Sequence, residues 1–129
     1  MATIFSKIVS GELPAYKVEE NDQFLAFLDI QPIVKGHVLV IPKVEVDYIF
    51  DLEDDLLSNM MVFAKGVAKK MDRVFNCERI GVTVIGLEVP HAHIHLIPIN
   101  GIADMDFSKP KLSLSEVEMK AIASKIKEN

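Results

Sequence analysis

Three features of the chain predict an α+β fold on a five-stranded antiparallel sheet. Five short runs carry strand-type residues, one long stretch with helical apolar spacing lies between the third and fourth of them, and helix-type segments sit at both ends. Helices do not alternate with strands, which disfavours a doubly wound parallel sheet.

The elements follow in order. Ile4, Phe5, Ile8 and Val9 have helix-like spacing and end at Ser10-Gly11, a short helix with a glycine exit. Tyr16–Glu19 and Phe24–Asp29 flank the turn cluster Glu20-Asn21-Asp22, which predicts a hairpin. Pro32 and Gly36 bracket a loop before His37–Pro42, a β-branched strand closed by a proline. After Asp51, residues Leu56, Leu57, Met60, Met61, Ala64, Val67, Ala68, Met71, Val74 and Phe75 form the stripe of one long helix, with the methionines as core filler. Strands are expected over Arg79–Ile85 and His91–Ile99, and a last helix over 113–127, where Ser113 and Glu116 have capping-box spacing.

Composition bounds the function. The 129 residues are 50% hydrophobic and 26% charged, as in an ordinary globular protein. No repeat or linker divides them, so one domain over 1–129 is expected. A net charge of −5 argues against duplex nucleic acid or anionic lipid as a partner, though local donors can still hold a small anion. Cys77 is the single cysteine, so no internal disulfide framework exists, in keeping with a reducing compartment. The opening MATIFSKIVSGELP has no long apolar core of a secretory signal, and no apolar run approaches the length of a membrane span. A cytosolic placement with no nucleic-acid or membrane partner is the expectation.

Three of the 4 histidines, His91, His93 and His95, alternate along the last strand and share one face, while Ala92, Ile94 and Leu96 take the other; the fourth, His37, opens the third strand. Imidazoles on a buried-type strand need partners for their ring nitrogens. A metal is one use, although no cysteine pair or carboxylate lies at ligand spacing and no metal ligand set is assigned. Nucleophilic attack on phosphorus is a second, with one nitrogen held by a carbonyl and the other free to attack. A row of satisfied histidines with no task is the third.

His-Ala-His-Ile-His-Leu-Ile resembles the signature of the histidine-triad (HIT) family of nucleotide-binding hydrolases and transferases. The opening Ile4–Pro14, the stretch Ala26-Phe27-Leu28-Asp29-Ile30-Gln31-Pro32 and the strand Lys35–Lys43 resemble further family segments, so the likeness runs over about residues 4–99. The Hint-like branch, whose members hydrolyse nucleoside phosphoramidates and related AMP esters, is the nearest in pattern. The resemblance implies a purine nucleoside monophosphate substrate cleaved at its α-phosphate, no cofactor and a homodimer paired through the long helix and a sheet edge. It implies His93 as the nucleophile that carries the nucleotide, His91 and His95 as its orienting and phosphate-serving neighbours, and His37 in support. It implies Asp29 as the ribose acceptor and Phe5, Ile8, Leu13, Phe27 and Ile30 as purine-pocket walls.

The sequence also departs from the family. Gly86-Leu87-Glu88-Val89 stands where a Gly-Gln-Ser/Thr run is usual, so Leu87 replaces an amide and Glu88 a hydroxyl, and Ile80 stands for an asparagine. Glu88 at a phosphate-facing position repels the substrate, acts as an acid or base, or points to solvent. A nucleotide-binding or sensing protein with little turnover is therefore the alternative reading, and a zinc-dependent hydrolase a third. Thr3, Ser6 and Glu45 occupy positions where many bacterial members carry two cysteines and a histidine for a structural zinc, so that site is expected to be missing.

Overall fold

The computed structural model describes residues 2–129. Its elements are helix α1 (Ile4–Ser10), strands β1 (Lys17–Glu20), β2 (Phe24–Leu28) and β3 (Val38–Pro42), helix α2 (Asp54–Val74), strands β4 (Arg79–Thr83) and β5 (Ile94–Ile99), and helix α3 (Glu116–Lys127). Short 3-10 turns precede α2 at Ile49–Asp51 and follow β5 at Ile102–Met105. The strands form one sheet in the order β1-β2-β3-β5-β4, and every neighbouring pair is antiparallel. The α+β class, the five strands and the long central helix follow the sequence expectation.

The pleat sorts side chains onto two faces. Val18, Ala26, Leu28, Val38, Val40, Ile94 and Leu96 pack against Met60, Ala64, Val67 and Met71 of α2 and against Met119, Ala123 and Ile126 of α3. The four α2 residues recur at helical spacing and are essentially solvent-free. Asp54 and Asp55 in the first turn of α2 and Arg73 in the last have the signs that favour the helix dipole. On the opposite face, Leu25, Phe27, Leu39 and Ile41 receive Phe5 and Ile8 of α1. That second, smaller core is where the histidines emerge.

Two glycines are fixed by geometry. Gly11 ends α1 at φ 88° and donates its N–H to the Ile8 carbonyl, the left-handed cap that the Ser10-Gly11 exit predicts. Gly36 sits at φ 92° just before His37, and a Cβ there would overlap the Phe75 ring.

Element ends differ from expectation in two informative places. Helix α3 begins at Glu116 with Ser115, not Ser113, as its cap: the Ser115 Oγ accepts the Glu118 N–H at 3.1 Å. Strand β5 begins at Ile94 rather than His91. Residues 91–93 form no ladder with β3, and Ala92 N–H donates instead to the Val46 carbonyl at 2.7 Å in the loop after that strand.

Candidate active site

The four histidines converge on the α1 face of the sheet. Leu39 lies opposite His95 across the β3–β5 pair, and Asp29 N–H donates to the His37 carbonyl at 2.9 Å, which brings Asp29 and His37 to the same face. His37, His91, His93 and His95 are 1%, 0%, 6% and 6% exposed. Phe5 of α1 packs edge-on against two of them, with ring centroids 5.1 Å from His93 and 5.9 Å from His91.

The hydrogen-bond partners fix which nitrogen of each ring carries the proton. His37 Nδ1 accepts the Ile33 N–H at 3.3 Å, so its proton is on Nε2, which donates to His95 Nδ1 at 2.8 Å. His95 therefore carries its own proton on Nε2. His91 Nε2 donates to the Pro42 carbonyl at 2.9 Å, leaving Nδ1 to accept the Thr3 hydroxyl at 2.9 Å. His93 Nδ1 donates to the His91 carbonyl at 2.6 Å, which leaves the Nε2 lone pair unused. Among the described residues no buried side-chain polar atom lacks a partner. His93 Nε2 and His95 Nε2–H, which have no protein partner, are thus the two ring atoms open to a ligand.

Thr3, Ser6 and Glu45 meet His91 in one cluster. Glu45 Oε1 accepts the Thr3 N–H at 3.1 Å and the Ser6 hydroxyl, while Thr3 Oγ1 accepts the Ser6 N–H at 2.9 Å. The cluster fastens the start of α1 to the first histidine of the row. Both ring nitrogens of His91 are consumed by it and by Pro42, so His91 acts on the site through its backbone carbonyl.

Burial sets the charge states. Desolvation, reinforced by the charges of His95, Lys111 and His93, pushes His37 down to about 3, and burial with His93 and Lys111 pushes His95 down to about 4. His91 is lowered by burial, against the raising pull of the Pro42 carbonyl and Glu45. Burial raises Asp29, opposed by the hydrogen bond from Gln31 N–H and by Lys111 and His93, and aided by the charge of Glu88. At neutral pH His37, His91 and His95 are neutral imidazoles.

A cavity of about 1000 Å³ opens beside this cluster. Phe5, Ile8, Leu13, Phe27, Asp29 and Ile30 all line it, which brings together the whole set the sequence suggests for a nucleoside. The walls are mostly apolar, with Asp29 as a carboxylate toward the histidines: its Oδ2 lies 3.7 Å from His37 Nε2. Helix α3 adds Lys120, Ser124 and Lys127, a wall absent from the sequence reading. Their helical spacing is visible in the chain, but nothing local says that this face turns toward a cavity. Glu88 is exposed and does not line the cavity, and Leu87 is 87% exposed.

Asp29, His37 and His95 each offer a ligand atom within 4.8 Å of the others. A cation there would have to displace the His37 Nε2 proton, and the Ile33 N–H already occupies the other nitrogen. The set suits a proton-relay pair better than a metal.

A family model described as HIT domain matches residues 10–101. The adenosine 5'-monophosphoramidase of Saccharomyces cerevisiae is 41% identical over 98 residues, which is 75% of this chain and 62% of the yeast protein. The adenosine 5'-monophosphoramidase of Schizosaccharomyces pombe is 36% identical over 128 residues, 98% of this chain and 96% of that one. Among solved structures, a Hit-like protein of Bartonella henselae superposes with a TM-score of 0.85 at 29% identity, covering 98% of this chain and 94% of that chain.

Proposed function

The chain belongs to the HIT family, and from that premise we propose that it is a nucleotidyl hydrolase, acting at the α-phosphate of a purine nucleoside phosphoramidate or dinucleoside polyphosphate through a covalent nucleotidyl-histidine. The observation that carries this reading is the 2.6 Å bond from His93 Nδ1 to the His91 carbonyl, which leaves the Nε2 lone pair free on a ring packed against Phe5, itself a wall of the nucleoside-sized cavity.

His93 Nε2 attacks phosphorus and forms a P–N bond, and the bond from phosphorus to the leaving amine or phosphate breaks, the leaving group taking its proton from solvent. His95 Nε2–H, on a neutral ring, donates a hydrogen bond to the reacting phosphate or leaving group, and His37 Nε2–H supports His95 from behind. Water then attacks the nucleotidyl-histidine, loses its proton to solvent and frees His93 with release of the nucleoside monophosphate. Asp29 accepts the ribose hydroxyls, and Phe5, Ile8 and Phe27 flank the base.

The name of the yeast relatives points to adenosine phosphoramidate as first substrate. The test is AMP release from that compound, and from a dinucleoside polyphosphate, with and without chelator. Chelator-resistant release supports the reading, and loss restored by zinc overturns it. Leu87 and Glu88, both turned to solvent where the family resemblance calls for polar helpers, favour one further reading, a nucleotide sensor. Tight AMP binding with no release would select it.

A homodimer belongs to the same proposal. Strand β4 is a sheet edge, Val82 in it and Val84 just after it are 50% and 39% exposed, and Met61 and Val62 of α2 are 47% and 69% exposed. Light scattering should give twice the chain mass at micromolar concentration, and the monomer mass would exclude the pairing. No helix among the described residues is long and apolar enough to cross a membrane. A cytosolic placement is part of the proposal and rests on the unpaired Cys77.

A further inference from the structure

The segment after β5 crosses the histidine pocket. Phe107 stands edge-on to His95 at 4.9 Å between ring centroids and to His37 at 5.9 Å. Lys111 folds back over the other side of Phe107, with Nζ 5.3 Å from the ring centroid and 3.4 Å from the Phe107 carbonyl oxygen. The next residue, Leu112, donates its N–H at 2.8 Å to the carbonyl of Pro32, in the loop that follows Asp29. The strap is thus pinned to the loop carrying the ribose acceptor and packed on the imidazole that faces the ligand. Among the described residues no carboxylate lies within ion-pair distance of Lys111.

We infer that Lys111 is an anion-binding residue of this site, a cation that closes on the phosphate of the bound nucleotide from the strap over His95 and His37. The inference rests on the proposed nucleotide site and adds to it a residue outside the triad motif. Electrostatics supplies the need. The chain carries a net charge of −5, and Glu88 and Leu87 stand at positions where the family resemblance calls for neutral donors. A local positive charge would offset this at a bound phosphate. The charge of Lys111 already reaches the site: it acts on Asp29, His37 and His95, in each case favouring the form with less positive or more negative charge. A lysine has the reach for this role, because its stem rotates freely and its ammonium is a point charge that suits phosphate. Phe107 gives it a resting place with no carboxylate to compete.

The test separates phosphate from nucleoside. AMP and adenosine are titrated by calorimetry into the wild-type protein, Lys111→Met and Lys111→Arg. Lys111→Met should weaken AMP about tenfold, the scale of one charge-assisted hydrogen bond, and leave adenosine within about twofold. Its AMP affinity should also depend less on salt. Lys111→Arg should keep most of the AMP affinity. Equal losses for AMP and adenosine would show that the strap only shapes the pocket, and an unchanged AMP affinity would show that Lys111 stays on Phe107; either overturns the inference alone. A wild-type protein that binds AMP no better than adenosine, or binds neither, overturns it together with the nucleotide reading.

Discussion

The His91 carbonyl accepts the Nδ1 proton of His93 at 2.6 Å, and this bond decides which nitrogen of the middle imidazole can act. It also divides labour along the row. His91 is held on both ring nitrogens, by Thr3 and by Pro42, so that its carbonyl stays where His93 needs it. The residue with no ring atom left for a ligand is the one that orients the proposed nucleophile.

Thr3→Val should expose that division. It leaves His91 Nδ1 buried without a donor, at a cost of about 1–3 kcal/mol in stability. The measurement is urea unfolding alongside kcat and KM. The midpoint and kcat should fall while KM for the phosphoramidate changes little, because Thr3 does not line the nucleoside cavity. Thr3→Ser should restore both. A change confined to KM would remove Thr3 from a positioning role.

Asp29→Ala should weaken AMP binding about tenfold, the value of losing a carboxylate acceptor for ribose hydroxyls. A 2′,3′-dideoxy analogue should lose far less. Equal losses for the two ligands, measured by calorimetry, would take Asp29 out of ribose recognition.

Stability should fall as the medium is acidified below about pH 6.5. Folding depresses His37 to about 3 and His95 to about 4, so the unfolded chain takes up protons that the folded one refuses. The stabilisation is complete above the unfolded value near 6.5 and is lost as pH falls toward the folded values. Each histidine contributes a limiting slope of about 1.4 kcal/mol per pH unit. Asp29, raised by burial, works in the opposite direction, its contribution fading as pH rises through its folded value. Urea midpoints at about pH 7.5 and about pH 5 check this. A lower midpoint at the acid end, flattened by His37→Asn, is expected; equal midpoints would contradict the buried neutral assignment.

Much of the site is legible in the chain because its logic is local. The spacing of two foretells that His91, His93 and His95 cluster, although only His95 lies within β5 and the other two reach the cluster from the segment before it; Asp29 is placed by the family resemblance and not by a strand period. The Ser10-Gly11 exit foretells the left-handed cap of α1 for the same reason. What stayed hidden depends on distant packing. Ser113 and Ser115 both precede acidic residues at capping distance, and only the docking of α3 on β1 chooses Ser115. Phe107 and Lys111 lie in a loop with no period, so nothing in the sequence tells that they fold over His95. The division between the His91 ring and its carbonyl is likewise invisible without the Thr3–His91 and Pro42–His91 bonds.

The stereochemical course at phosphorus tests the central claim most directly. An adenosine phosphoramidate made chiral at phosphorus with sulfur is hydrolysed in 18O-labelled water, and the configuration of the product is determined. Attack by His93 followed by attack of water inverts phosphorus twice, so net retention is predicted, and His93→Ala should abolish the reaction. Net inversion, the mark of a single direct attack by water, would contradict the account, as would wild-type turnover by the His93→Ala protein.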